Sequence, residues 1–191
     1  MMENDNLTYD VPRFLSFIEL VYLFEAAKLA DIELAKKITN TGLVDKRDLI
    51  GNINATRQSL LRSVFISSYA VLEQHFDEIT HMERERQKIM LAPSDLKDHG
   101  ITRSLKYSKK VLGKELNENT SHWKELKFLQ EVRNHLVHYG SSFDNSAEHE
   151  KRYMKFKNSN YVTLSPSICF SLEQIAKIFE LYQICIDDFN K

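Results

Sequence analysis

An all-α fold is what this sequence predicts, and three observations carry that expectation. Apolar residues recur at spacings of three and four along most of the 191 residues. Glycine and proline number only 5 and 3, too few for the many tight turns of a β protein. Helix-capping signals stand at the ends of several periodic segments. With 42% hydrophobic residues, among them 11 Phe and 8 Tyr, the chain has enough apolar surface for a substantial core. One domain spanning 1–191 is therefore expected.

The first helix is expected to start at Asp10, a capping side chain, followed by Val11-Pro12 where no amide hydrogen is missed. It should run to about Ile38. Phe14, Phe17, Ile18, Val21, Tyr22 and Phe24 wrap more than one of its sides. Burial against both a core and a second subunit accounts for this, and so does a central place in a monomer. Gly42 and Asp45-Lys46-Arg47-Asp48 mark a connection. The second helix is expected from about Ala55 to Gln87, burying Leu61, Val64, Phe65, Tyr69, Leu72, Phe76 and Ile79. Its closing run, Glu83-Arg84-Glu85-Arg86, reads as a solvated face.

Ala92-Pro93-Ser94-Asp95 and His99-Gly100 interrupt the pattern, and a short helix from Thr102 to Leu112 is expected next. Ile101, Leu105, Val111 and Leu112 line one side of it; Arg103, Lys106, Lys109 and Lys110 line the other. No acid occurs between His99 and Lys114. The cationic side is either an ordinary solvated face or a positive surface that tracks phosphates.

A further amphipathic helix should run from Trp123 to Tyr139, stopped by Gly140. Residues 141–150 read as an exposed loop. Tyr153-Met154-Lys155-Phe156 and Tyr161-Val162-Thr163-Leu164 read as a small hairpin, joined across Lys157-Asn158-Ser159-Asn160. Its cations, Lys155 among them, alternate with Tyr153 and Phe156. That pattern suits single-stranded RNA held by stacking and charge; it is also common on plain edge strands. Ser171 and Gln174 form a capping box opening a last helix to about Phe189. The expected architecture is thus four main helices, a short fifth, and a small β-hairpin before the last helix.

Several function classes are disfavoured. A net charge of −1 argues against a uniformly basic nucleic-acid coat, though not against a local basic groove. The start, Met1-Met2-Glu3-Asn4-Asp5-Asn6, does not resemble a secretory signal, and the apolar run Phe14–Ala30 contains Glu19, Glu25 and Lys28. A cytoplasmic protein with Cys169 and Cys185 as free thiols is expected. No His-Glu-x-x-His or Cys-x-x-Cys spacing, no Gly-x-Ser-x-Gly elbow and no phosphate-binding glycine loop occurs. No metal or cofactor is expected.

The residues most suited to chemistry are Arg133-Asn134-His135-Leu136-Val137-His138. At about 100° per residue, Asn134 and His138 share a helix face, while Arg133 lies roughly 140° from His138. Arg133 falls inside the apolar arc of Leu126, Leu129, Val132, Leu136 and Val137. A guanidinium so placed needs a carboxylate, a phosphate or a deep cleft. One reading pairs Arg133 with Glu73 or Asp77 as a structural arginine. The other makes Arg133, Asn134 and His138 an active site.

Arg133-Asn134 followed by His138 in a helix, with Trp123 ten residues upstream, resembles the signature of HEPN domains (higher eukaryote and prokaryote nucleotide-binding). The order of features supports the likeness over residues 55–190: Tyr69-Ala70-Val71-Leu72-Glu73, Gly100-Ile101, Arg103, Lys110-Val111-Leu112-Gly113, then Trp123, the motif, a hairpin and a closing helix. The resemblance implies a helical bundle that dimerises so that two motif helices build a composite cleft. It implies metal-independent RNA cleavage, as by a toxin or antiviral-defence effector with an antitoxin or defence partner. His138 would transfer protons, Arg133 would neutralise phosphorane charge, and Asn134 would orient the phosphate or the imidazole. Products would be a 2′,3′-cyclic phosphate and a 5′-hydroxyl. Arg103, Lys106, Lys109, Lys110 and Lys155 are the candidate RNA contacts. Family toxins modified by a nucleotidyltransferase carry His-x-Tyr; here Tyr139 directly follows His138, so that modification is not expected. The same resemblance admits a non-catalytic RNA-binding or dimerisation module.

Overall fold

Spacings of three and four become six α-helices among the residues described by the computed structural model. It describes the backbone of residues 7–40 and 46–191, and the side chains of 18–37, 39–40 and 47–191. The helices are α1 (Leu7–Thr39), α2 (Lys46–Arg86), α3 (Gly100–Lys110), α4 (Ser121–Tyr139), α5 (Ala147–Lys157) and α6 (Leu172–Phe189). A single turn of 3-10 helix, Pro93–Asp95, precedes α3. Strands β1 (Thr163–Leu164) and β2 (Ile168–Cys169) precede α6 and pair antiparallel, Thr163 opposite Cys169 and Leu164 opposite Ile168. The protein is mostly helical, as expected, with one helix more than the sequence suggested. No helix among the described residues is long and apolar enough to cross a membrane.

The described residues pack as two compact units, and the division falls inside α1, α2, α4 and α6. One comprises the residues up to Leu20, Tyr69–Lys127 and Leu181–Lys191; the other comprises Val21–Ser68 and Phe128–Glu180.

The first unit is built on aromatics. Phe76 stacks on Phe189 with ring centroids 4.5 Å apart and meets Trp123 at 5.9 Å, while Tyr69 meets Tyr182 edge-on at 6.2 Å. Tyr69, Leu72, Phe76 and Ile79 of α2 are all buried, as their spacing predicts. Trp123 Nε1 donates to Asp188 Oδ2 at 2.8 Å, and His122 Nε2 lies 3.0 Å from the same oxygen. Burial would raise the Asp188 carboxyl, but hydrogen bonds from Lys191, His122 and Trp123 outweigh it and hold the group at about 2. The Glu83–Arg86 run is solvated only in part: Glu85 and Arg86 are exposed, but Glu83 is buried and accepts from Arg86 at 2.9 Å. Arg84 donates to the carbonyls of Leu91 and Met90, because the chain doubles back over the end of α2. Gly100 opens α3 at φ +54°, and a Cβ there would meet the Glu73 carboxylate.

The second unit holds the other half of α2, which starts at Lys46 rather than Ala55. Lys46-Arg47-Asp48, expected in the connection, form its first turn, where Asp48 faces the positive pole of the helix dipole. Leu61, Val64 and Phe65 are buried here, as expected, and Phe65 packs on Phe170 of the hairpin at 5.0 Å. Gln58 donates to the Phe170 carbonyl at 3.1 Å and accepts from its amide at 2.9 Å. Phe24 of α1 meets Phe179 of α6 at 5.9 Å. Two-sided burial of α1 is not met in the single chain: Ala27 is buried, but Tyr22 and Leu29 are 70% and 63% exposed and Val21 and Ile32 are exposed as well. The expected start at Asp10 falls inside α1; the side chains of Asp10, Phe14 and Phe17, and the residue Gly42, lie outside the described residues.

The expected hairpin differs most. Tyr153–Phe156 belongs to helix α5, and the expected second strand supplies the first observed one. Ser146 caps α5, its Oγ accepting from the His149 amide; Glu148 and Glu150 lie in the first turn, Lys155 and Lys157 in the last. Phe156 is buried, Tyr153 is half-buried, and Met154 and Lys155 between them are exposed, the outcome of a spacing of three. The capping box of α6 forms as read: Gln174 N donates to Ser171 Oγ at 3.2 Å and Ser171 N to Gln174 Oε1 at 2.9 Å. Both cysteines are free thiols; burial, reinforced by Asp188 and Glu125, pushes the Cys185 thiol well above its ordinary range.

Candidate active site

The C-terminal part of α4, in the second unit, places the motif. Leu129, Val132 and Leu136 are buried, and the helix ends at Tyr139 where Gly140 takes φ +77° and donates its amide to the Leu136 carbonyl. The buried arc is rotated from the expected one. Val137 is 49% exposed, whereas His135 is wholly buried. The cause is α5, absent from the sequence reading: Phe156 and His149 of that helix, with Phe143 of the preceding loop, cover the His135 side. Arg133 consequently lies at the edge of the apolar arc, half-buried, rather than within it.

Arg133 Nη1 donates to Asn134 Oδ1 at 3.0 Å, which ties the two neighbouring side chains into one polar unit. His138, one turn beyond Asn134 on the same face, is exposed. The nearest ring to it in the described contacts is Tyr139, edge-on at 6.3 Å. The arrangement presents an imidazole and an amide on one face of the helix end, with the half-buried Arg133 guanidinium tied to that amide from the neighbouring side. Of the carboxylates proposed as structural partners for Arg133, Asp77 accepts instead from Arg103 Nη2 at 2.7 Å and Ser104 Oγ at 2.6 Å.

Behind this face lies a cluster that sequence reasoning missed. His135 stacks on Phe143, meets Phe156 edge-on at 5.8 Å, and lies 5.0 Å from the His149 ring. Its Nε2 is 3.1 Å from the Ser142 carbonyl, which requires the Nε2–H tautomer; Nδ1 is buried with no partner among the described residues. Burial lowers the His135 pKa, with the Ser142 carbonyl opposing it and the nearby His149 and Arg152 adding to it. The Asp144 amide donates to His149 Nδ1 at 3.0 Å, and Asp144 Oδ1 lies at the same distance, ready to accept from a protonated ring. Arg152 stands over the Tyr139 ring at 4.9 Å. The available signal was Ser146 three residues before His149, a cap that starts a helix where a loop was read.

The candidate RNA contacts are divided between the units. Lys155 shares the second unit with the motif, and its ammonium lies 2.7 and 2.6 Å from the two carboxylate oxygens of Glu131 on α4. Arg103, Lys106, Lys109 and Lys110 belong to the first unit. Arg103 pairs with Asp77, Lys106 with Asp98 at 2.6 Å and Lys109 with Glu118 at 2.9 Å. The absence of acids from the α3 segment therefore does not leave its cations uncompensated, because neighbouring elements supply the carboxylates. Lys110 alone of the four is exposed without an ion pair among the described residues. No group of three or more His, Cys, Asp or Glu side chains is placed to hold a metal ion among the described residues.

Comparison of the chain with known protein families, with characterised proteins and with solved structures gives no match in any of the three.

Proposed function

We propose that this chain is a metal-independent endoribonuclease of HEPN type that works as a homodimer. The observation that carries the reading is the open placement of His138 beside the Arg133–Asn134 pair at the end of α4. Neutral His138 takes the proton from a ribose 2′-OH, and that oxygen attacks the adjacent phosphorus. Arg133 balances charge on the phosphorane oxygens, and a second imidazole, protonated, gives its proton to the departing 5′-oxygen. A 2′,3′-cyclic phosphate and a 5′-hydroxyl result. One motif helix offers a single His138, so a two-fold pair of chains supplies both base and acid. Exposed Val137 and Tyr139 flanking His138, with Tyr22 and Leu29 on α1, are surface for a second copy to cover. Under this reading the protein is a cytoplasmic toxin or antiviral-defence effector, with an antitoxin or defence protein as its partner.

A non-catalytic RNA-binding or dimerisation module is the second reading. The dimerisation form of this reading is favoured by the ion pairs of Arg103, Lys106, Lys109 and Lys155, which reduce the field available to attract RNA. Incubating wild type and His138→Ala with RNA in EDTA separates the two: cyclic-phosphate ends made by wild type alone support the nuclease, and intact RNA in both supports the module.

A further inference from the structure

A cleft of about 470 Å³ opens in the second unit beside the motif, walled by α5 and by the loop between α4 and α5. Its volume is in the range of sites that hold a small molecule or one residue of a polymer. The lining has a distinct chemistry. Phe143 and Tyr153 supply aromatic surface, their rings perpendicular with centroids 5.3 Å apart. Asp144, Asn145 and Glu150 supply acceptors, and neither lysine nor arginine lines the cleft.

The acceptors are not equivalent. Asp144 is occupied within the protein, accepting from the Ser146 amide at 2.9 Å. The Glu150 side chain is exposed, and its carboxylate has no ion pair or hydrogen bond among the described residues. Residues 149, 150 and 153 stand on one side of α5 through spacings of three and four. His149, itself buried, anchors that wall to the loop through the Asp144 amide.

An acidic, aromatic cleft repels phosphate and attracts a flat group that donates hydrogen bonds. The site also lies within a nucleotide's reach of the motif. His138 meets Tyr139, Tyr139 meets His149 edge-on at 4.8 Å, and His149 lines the cleft. We propose that this cleft is a guanine-binding pocket serving the nuclease of the preceding section, on whose reading the proposal rests. The base stacks on Tyr153 and directs its adjacent N1–H and N2–H donors at the Glu150 carboxylate. Guanine is the base that offers two such donors side by side, matching the two oxygens of a carboxylate; uracil and adenine do not. Asn145 at the rim accepts or donates to the remaining edge.

Isothermal titration of the intact protein with guanosine, inosine and uridine tests this directly. Guanosine should bind, inosine, which lacks the 2-amino group, should bind about tenfold more weakly, and uridine more weakly still. Glu150→Gln and Tyr153→Ala should each weaken guanosine about tenfold. His138→Ala should bind guanosine as wild type does. Unfolding temperatures of the two cleft variants, run in parallel, establish that both are folded. No guanosine binding at millimolar concentration overturns the pocket, as does equal affinity for the three nucleosides or an unchanged affinity in Glu150→Gln. Failure of the nuclease reading gives a different result, guanosine bound selectively while RNA stays intact. RNA cut by wild type with no guanosine bound sinks the pocket and leaves the nuclease standing.

Discussion

The imidazole of His135 lies nearly parallel to the Phe143 ring, with centroids 4.4 Å apart and planes inclined by 25°. A core stack of this kind joins the motif helix to the loop that follows it, and burial there favours the neutral imidazole. A proton added to His135 would place a cation in an apolar site beside His149 and Arg152.

Stability should therefore fall in mild acid. The folded pKa of His135 is lowered below 6.5, so the unfolded chain binds the proton more readily. Its contribution is fully present above about pH 6.5 and is lost progressively as pH falls toward the lower folded value. Urea unfolding at pH 7.5 and 5.5 should give the lower midpoint at 5.5, with that difference reduced in His135→Phe. His135→Ala should cost about 2–4 kcal/mol at pH 7.5, as for other large-to-small core changes. An equal pH response in wild type and His135→Phe would show that the proton is taken up elsewhere.

The proposed nuclease reading makes a separate prediction for His138 and Arg133. His138→Ala and Arg133→Ala should each lower RNA cleavage by about 10²-fold or more. His138→Ala should unfold within about 0.5 kcal/mol of wild type, since the side chain lies on the surface. Cleavage should persist in EDTA. Activity lost on chelation would contradict the assigned proton transfer.

The ion pairs of α3 separate charge from stability. Arg103→Ala leaves Asp77 without its guanidinium partner and should cost about 1 kcal/mol, whereas Lys110→Glu should change stability by less than about 0.5 kcal/mol. If this helix tracks phosphates, Lys109→Glu with Lys110→Glu should flatten the salt dependence of RNA binding. A slope equal to that of wild type would assign α3 a purely structural role.

Asp188 makes a second, more acidic signature. Its carboxyl is held at about 2 against an ordinary 3.8, so the stability it adds is present above pH 4 and lost as pH falls toward 2. Asp188→Asn should lower stability by about 2 kcal/mol at pH 7 and remove that acid-limb dependence. Thermal unfolding between pH 2 and 7 measures both.

Assembly can be checked without RNA. Light scattering at micromolar concentration should report a dimer, and Tyr22→Glu with Leu29→Glu should return it to a monomer. A wild-type monomer would remove the composite cleft and the second imidazole.

What the sequence revealed depended on how local the determinant was. The end of α4 at Tyr139 and the Ser171–Gln174 box rest on neighbouring residues, and both formed where they were read. The α2 stripe was legible because seven apolar residues repeat on one face. The side of α4 that is buried was not, because it depends on α5, and α5 depends on a cap at Ser146 that competes with a loop reading. The pairing of Arg103 with Asp77 joins residues 26 apart and left no local trace. Within the motif, the placement of Asn134 and His138 on one face followed from helix geometry alone; the burial of His135 required tertiary contacts.

Gln58 engages both main-chain groups of Phe170, as a neighbouring strand would, and Arg62 adds a bond of 3.0 Å to the Ile168 carbonyl. Two strands of two residues each cannot hold a register by themselves. A helix side chain thus takes the place of the missing third strand, and the hairpin borrows its permanence from α2. Amide exchange at Phe170 should therefore keep time with the unwinding of α2 around Gln58, not with the opening of the β1–β2 pair.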